Sequence, residues 1–480
     1  MRKVLSFLAL AMSVLAVLSC GGDPDDPVIP EDPAPKAVTA TPASSSLTSA
    51  AGEVTLAVTA PQRPVLSGIP SWITVQDGTY NKYNITFTLK VAENTTYEPR
   101  SVTITVTSGG LSSSVTISQA AAEKPQEPSE PQTPEEPGGE VEVEVNISKN
   151  LVTKEPMDKA VALYGYLLDQ YGKKIISSIM ADVNWNHREA DKVNSATGKY
   201  PAMNCYDFIH IYVPENNWIN YSDLKPVTEW AEAGGIVSLM WHFNVPKNKD
   251  TVPGTDGSGV TCTPGETTFR ARNVFTEGSW ENKWFYGQMD KVAEVILGLQ
   301  KQGIAAIWRP FHEAAGNATH KSQASWATSW FWWGYDGAEV YKKLWTTMFD
   351  YFASKGINNL IWVWTTQNYN GNSAEYNQDK DWYPGDGYVD IVARDLYGSA
   401  ASVNKKEFEE IQKTYPTKMV TLGECGKDGS TAFATIPSVW SAGAKWSWFM
   451  PWYGSNMPDT EWWKSAMSSP NVINRSEVKY

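Results

Sequence analysis

The sequence predicts two folded units of different class: an α/β unit, a (β/α)8 TIM barrel over residues 146–480, and before it a small all-β sandwich over residues 37–120. Three observations predict this. Eight short apolar runs alternate with helical stretches in the C-terminal part, period-two alternation fills the N-terminal part, and a stretch rich in proline and glutamate separates them. A doubly wound open sheet is the rival for the larger unit, but no glycine-rich phosphate loop follows its first strand.

The elements follow in order from the N-terminus. Arg2 and Lys3 precede the apolar run VLSFLALAMSVLAVL, which is too short for a membrane span of about 20 residues and reads as an export signal over residues 1–20. The run ends in VLSC, which resembles a bacterial lipobox; the resemblance implies that Cys20 carries a lipid and becomes the mature N-terminus. Residues 21–36 read as an acidic tether, whose GGDPDDP is similar to the surface-export tag of Bacteroidetes lipoproteins. A protein held to outer-membrane lipid through Cys20 and facing outward is the expectation.

Residues 37–120 alternate in EVTLAVTA, YNITFTLKVA, RSVTITVTS and SSSVTISQ, with turn residues DGTYN and SGG between them, the pattern of a small antiparallel sandwich. PSWITV (70–75), ENTTYEPRSVTITVTSGG (93–110) and the closing VTISQ resemble a BACON domain, which implies an immunoglobulin-like module. Its one tryptophan, Trp72, falls in a predicted strand and reads as core, so a spacer role is expected rather than glycan binding. Residues 121–145 follow as a linker with prolines at every third position from 125 to 137, favouring an extended polyproline II rod.

Charge excludes some functions. The net charge of −13 is concentrated in the tether and the linker, so the remainder is nearly neutral and lacks the basic surface that nucleic acid requires. With 22 tryptophans, 22 tyrosines and five histidines, the chain is equipped to stack on sugars rather than to build a multi-histidine metal centre. No metal or other cofactor is expected. Beyond Cys20, Cys205, Cys262 and Cys425 fit no zinc spacing, and their odd number leaves at least one thiol free or paired with another chain.

The barrel strands are expected in KIISSIM (174–180), YPAMNCYDF (200–208), GIVSLMWHF (235–243), IAAIWRPF (304–311), NLIWVWTTQ (359–367), VDIVARDLY (389–397), KMVTLGEC (418–425) and AKWSWFMPW (444–452). Val292, Val295, Ile296 and Leu299 mark a helix that stops at Gly303. A barrel carries its chemistry at the C-terminal ends of its strands. The fourth runs into Glu313 and the seventh into Glu424. Strict alternation would align Ile307, Arg309, Phe311 and Glu313 on one face, and Val420, Leu422 and Glu424 on another, aiming both acids at the mouth.

Two carboxyls in one cleft suit glycoside hydrolysis, where one stays protonated to donate and the other stays ionised to attack. Arg309 and Tyr397 would favour the charged form of Glu424, and aromatic surroundings would raise Glu313.

WRPFHEAAGN (308–317), SWFWWG (329–334), NLIWVWT (359–365), ARDLYG (393–398) and LGEC (422–425), with GKYPAMNCYDF and WHFNVP, are together similar to glycoside hydrolase family 26. That resemblance implies a retaining endo-β-1,4-mannanase acting on mannan, galactomannan or glucomannan, with Glu313 as acid/base and Glu424 as nucleophile. It further implies that Arg309 and His312 position acid and substrate, that Tyr397 bonds the nucleophile, and that His242 lies at the −1 subsite. Trp330 corresponds to a tryptophan near the acid, while Phe331, Trp332 and Trp333 read as core. Trp452, with Trp448 as the alternative, matches the ring beneath the −1 sugar. A family β-glucanase or xylanase, or an inert glycan-binding lipoprotein, are the other readings. The long loops 246–269 and 318–328 leave open whether the cleft admits internal attack.

Overall fold

In a computed structural model, residues 34–122 and 145–480 are described, except 43, 48, 97, 183–184, 214–217, 323 and 368–374. The export signal with Cys20, nearly all of the tether and nearly all of the linker lie outside them. The chain divides into two compact units, one within residues 1–138 and one within 139–480.

The first unit is a sandwich of two four-stranded sheets. One has the order Thr39–Thr41, Gly52–Thr59, Asn84–Val91, Ile73–Asp77, all antiparallel. The other has the order Ser44–Leu47, Leu111–Gln119, Arg100–Ser108, Val65–Ser67, its first pair parallel. Alternate residues meet in the middle, among them Leu56, Phe87, Leu89, Ile104, Val106, Val115 and Ile117. Trp72 differs from expectation: it stands in the turn before Ile73–Asp77, half-buried, with the Arg100 guanidinium 4.5 Å above its ring.

The second unit is a closed barrel of eight parallel strands. These are β1 (Ile175–Met180), β2 (Met203–Asp207), β3 (Ile236–Trp241), β4 (Ala306–Pro310), β5 (Leu360–Thr366), β6 (Ile391–Tyr397), β7 (Met419–Gly426) and β8 (Trp448–Pro451). Each pairs with the next, and β1 pairs with both β8 and β2, which closes the ring. Seven lie wholly inside the runs predicted from the sequence, and β7 extends one residue beyond its run, to Gly426. Helices follow the strands, the longest being Trp280–Lys301, capped by the Ser279 side chain and buried through Val292, Val295, Ile296 and Leu299. Between β5 and β6 the described residues form no α-helix, only two short 3-10 turns, Lys380–Trp382 and Asp386–Tyr388, and a β-bridge at Tyr376.

Alternation sorts the strand side chains into two layers. Ile176, Met203, Ile307, Ile361, Val363, Ile391, Ala393, Met419 and Trp448 fill the barrel interior, while Val237, Trp308, Trp362, Val392, Val420 and Leu422 pack outward under the helices. At the mouth this rule fails twice, and both failures concern the acids.

Candidate active site

On β4, Arg309 points into the barrel as alternation requires, but the strand ends at Pro310 and the next residues turn left-handed. Phe311 has φ +47° and Glu313 φ +50°, conformations that side chains with a Cβ rarely adopt. Phe311 is thereby sent outward, where it packs with Phe243, Phe285, Trp332 and Trp333. It therefore does not share a face with Arg309, contrary to the simple alternation.

The strained turn is held through its carbonyls and the Gly316 N–H. Tyr341, Trp333 and Ser329 donate to the carbonyls of Phe311, His312 and Ala314, and the Gly316 N–H donates to Gln367 Oε1 at 2.7 Å. Such over-determination lets local strain persist. Trp333 sits so close that a Cβ on the next residue, Gly334, would lie 1.9 Å from the Ala314 carbonyl oxygen.

On β7 the correction is larger. Val420 and Leu422 face the helices, so Glu424 would face them too if alternation continued. Instead Arg394 of β6 pairs with Leu422 and Asp395 with Glu424, leaving Gly423 as an extra residue. This β-bulge resets the pleat and turns Glu424 inward. A side chain at 423 would strike the site: its Cβ would lie 2.7 Å from Asp395 Oδ1 and 2.9 Å from the Ala393 Cβ.

Glu424 is gripped on both oxygens. The Arg309 guanidinium donates to Oε1, and the Tyr397 hydroxyl donates to Oε2 at 2.7 Å. Arg309 also donates to Thr365 Oγ1 at 2.9 Å and to Asp395 Oδ2 at 3.0 Å. Burial opposes the Arg309 charge, but the carboxylates of Asp395 and Glu424 outweigh it and raise its pKa. Burial and then the Glu424 charge keep Tyr397 a neutral donor.

Glu313 is in the opposite situation. Burial, and then the charges of Asp395 and Glu424, push its pKa well above the usual carboxylate range, against the pull of Arg309 and Arg394. The dominant cause is thus desolvation, with neighbouring negative charge next. A carboxyl so placed keeps its proton near neutral pH, as a general acid must.

Beside these acids runs a chain of imidazoles. Asp207, at the end of β2, accepts from the His242 backbone N–H at 3.0 Å and lies 2.6 Å from His242 Nδ1. His242 Nε2 is 3.1 Å from His312 Nε2, which in turn is 4.0 Å from Glu424 Oε1. Burial lowers both imidazoles, but Asp207 reverses the effect on His242 and raises it, while burial and the facing charges of His242 and Arg309 leave His312 well below its usual value.

The aromatics separate clearly. Trp452 is half-buried at the mouth with its ring 5.7 Å from His242, whereas Trp448 is buried in the barrel interior. Trp332 and Trp333 are core, but Phe331 is not: half-buried, its ring stands 5.9 Å from His242 and 5.3 Å from His312. Trp330 is exposed and borders Gly316, just past the acid.

Asp207, Thr365 and Asp395 were given no role from the sequence. Asp395 was findable, since it lies two residues before Tyr397 on the same face of β6; Thr365 and Asp207 were visible only as polar residues at strand ends. Cys205, Cys262 and Cys425 are all free thiols. Among the described residues, no group of three or more His, Cys, Asp or Glu is arranged to hold a metal ion.

Comparison with known proteins supplies context. Residues 152–477 match the model of glycosyl hydrolase family 26, and residues 67–120 match BACON, a putative N-terminal binding domain. A mannan endo-1,4-beta-mannosidase of Thermothelomyces thermophilus is 29% identical over 349 residues, covering 70% of this chain and 64% of that protein. One from Piromyces is 29% identical over 329 residues, covering 66% of this chain and 47% of its own length. The chain thus spans between about half and two-thirds of these curated relatives. Among solved structures, the GH26 domain of an endo-beta-mannanase/endo-beta-glucanase from Prevotella bryantii is 58% identical with a TM-score of 0.68, covering 69% of this chain and all of that one. A beta-mannanase from a symbiotic protist of the termite Reticulitermes speratus, complexed with gluco-manno-oligosaccharide, is 32% identical with a TM-score of 0.56, covering 70% of this chain and 99% of that one.

Proposed function

Glycosyl hydrolase family 26 is the family to which this chain belongs, and from that premise we propose that its barrel cleaves β-1,4-mannosidic bonds within mannan, galactomannan or glucomannan, with retention of configuration. The observation that carries the reading is the contrast between two carboxyls at one mouth: Glu313 is desolvated and proton-retaining, and Glu424 is held by Arg309 and Tyr397.

In the first step Glu313 donates its proton to the glycosidic oxygen while Glu424 attacks the anomeric carbon, forming a glycosyl-enzyme. Arg309 and Tyr397 hold the attacking carboxylate in line, and Trp452 with His242 borders the sugar that is attacked. In the second step Glu313, now ionised, takes a proton from water, and the water displaces Glu424. The relatives named mannan endo-1,4-beta-mannosidase support the choice of substrate.

The chain without residues 1–20 should release oligosaccharides of mixed size from linear mannan and galactomannan. No release from any β-linked polysaccharide would sink the enzyme reading, and release from mixed-linkage glucan or xylan alone would sink the mannanase one. Glu424→Ala should abolish turnover, whereas Glu313→Ala should still form the glycosyl-enzyme from substrates with activated leaving groups. Identical behaviour of the two variants on such substrates would remove the assignment of roles.

We also propose that Cys20 is lipidated and tethers the protein to the outer membrane, with the sandwich as a spacer. The lipobox-like VLSC and the acidic stretch after it support this. Labelled palmitate should enter the wild-type chain expressed in a Bacteroidetes host and not Cys20→Ala; equal labelling would refute the anchor.

A further inference from the structure

The loop after β4 carries a second exposed tryptophan that the mechanism does not use. Trp326 is 52% exposed. A lone exposed ring calls for no explanation, but this one is mounted. The His320 ring meets it edge-on at 4.4 Å, and Tyr376 meets His320 edge-on at 4.6 Å. His320 and Tyr376 form a β-bridge, and Lys321 N donates to the Glu375 carbonyl at 2.7 Å and Asn377 N to the Thr319 carbonyl at 2.9 Å. The loop after β4 is thereby stapled to the loop after β5. Its base is closed by Asn317, whose N–H donates to the Thr328 carbonyl at 3.0 Å. Ordering an indole this way while leaving half of it in water gives the fold little, but presents a flat apolar face already immobilised, which lowers the entropic cost of binding.

The position of this strap identifies its ligand. In the closed ring, β4 stands opposite β8. On the proposed function, the sugar attacked by Glu424 lies beside Trp452, at the end of β8. The departing sugar would then lie past Glu313, and the loop that carries the strap begins immediately after Glu313. We propose that Trp326 is a stacking platform for the departing portion of the polysaccharide, taking the C–H face of a β-linked pyranose beyond the sugar that Glu313 protonates. His320 and Tyr376 are its positioning residues. The assignment rests on the function proposed above.

The test compares a long substrate, mannohexaose, with an aryl β-mannobioside whose leaving group ends before the strap. Trp326→Ala should lower the ratio of kcat/KM for the long over the short substrate about tenfold, equivalent to about 1.4 kcal/mol. Trp326→Phe should restore most of the ratio, and His320→Ala should lower it by a smaller factor. An unchanged ratio in Trp326→Ala, or equal loss on both substrates, would overturn the proposal. A wild-type chain inactive on both would instead overturn the function, and the platform would still be judged by binding. Mannohexaose titrated into Glu313→Gln should bind several-fold more weakly when Trp326→Ala is added, and an unchanged Kd would refute it.

Discussion

The Arg309 guanidinium joins Asp395, at 3.0 Å, to Glu424, so one cation from β4 ties together carboxylates from β6 and β7. Asp395 is buried, its carboxylate accepts from Arg309, and its charge also helps hold Glu313 protonated. Its removal leaves a buried cation with half its compensation. Asp395→Ala is expected to cost about 3–5 kcal/mol of stability and to lower kcat more than it raises KM. Thermal unfolding and steady-state kinetics check this; Asp395→Asn should unfold less readily than Asp395→Ala yet share the fall in kcat.

The raised pKa of Glu313 predicts how activity and stability follow pH. A carboxyl whose folded pKa lies above its unfolded value favours the fold most below the unfolded pKa, about 4.3 for glutamate, and loses that contribution as pH rises through the folded value. The same rise ionises the carboxyl to which the proton-donor role is proposed. Activity should fall on the alkaline side with the Glu313 titration. Glu313→Gln should raise the melting temperature at pH 8 more than at pH 4, and equal shifts at both would contradict the assignment.

The bulge at Gly423 gives a steric prediction. In Gly423→Ala the new methyl must displace Asp395 or Ala393, against which it would stand at 2.7 and 2.9 Å. Overpacking of this kind costs roughly 1–3 kcal/mol, and a shift of Asp395 moves Arg309 and with it Glu424. A large loss of kcat on aryl mannosides is expected, and wild-type kinetics in this variant would show that the bulge does not set the nucleophile.

The two strand-eight tryptophans should behave differently. Trp448→Ala empties a site in the barrel interior and should cost about 3–5 kcal/mol, read by denaturant unfolding. Trp452→Ala, at the half-buried mouth, should cost less stability and far more kcat/KM.

Asp207 is the group that lifts His242 above its ordinary pKa against the effect of burial, with Glu424 assisting and Arg309 opposing. The His242 charge therefore stabilises the fold below about pH 6.5, the unfolded value, and this is lost as pH rises through the folded one. Asp207→Asn should move the His242 proton titration, followed by NMR, to lower pH; an unmoved midpoint would show that Asp207 does not control it.

Much of this was legible in the residues alone. Eight apolar runs announced eight strands because burial on both faces of a parallel barrel strand demands continuous apolar sequence. The strand-end acids Glu313 and Glu424 were visible because charge directly after an apolar run marks a strand end, where a barrel carries its chemistry. Asp395 was missed although its spacing from Tyr397 fits simple alternation. Phe331 was read as core, because a run of four rings offers no local sign of which one turns toward the cleft.

By itself, then, the sequence determined the order of the strands, the sandwich ahead of them and the presence of an acid just past the fourth and at the seventh strand end, all of which follow from local periodicity and composition. Only the tertiary structure decided how those acids reach the cleft. Glu313 arrives through a left-handed turn clamped by Tyr341, Trp333, Ser329 and Gln367, and Glu424 through the extra residue Gly423. The reason is physical: a strained turn and a shifted pleat are unfavourable locally and persist only because distant segments pack and hydrogen-bond against them.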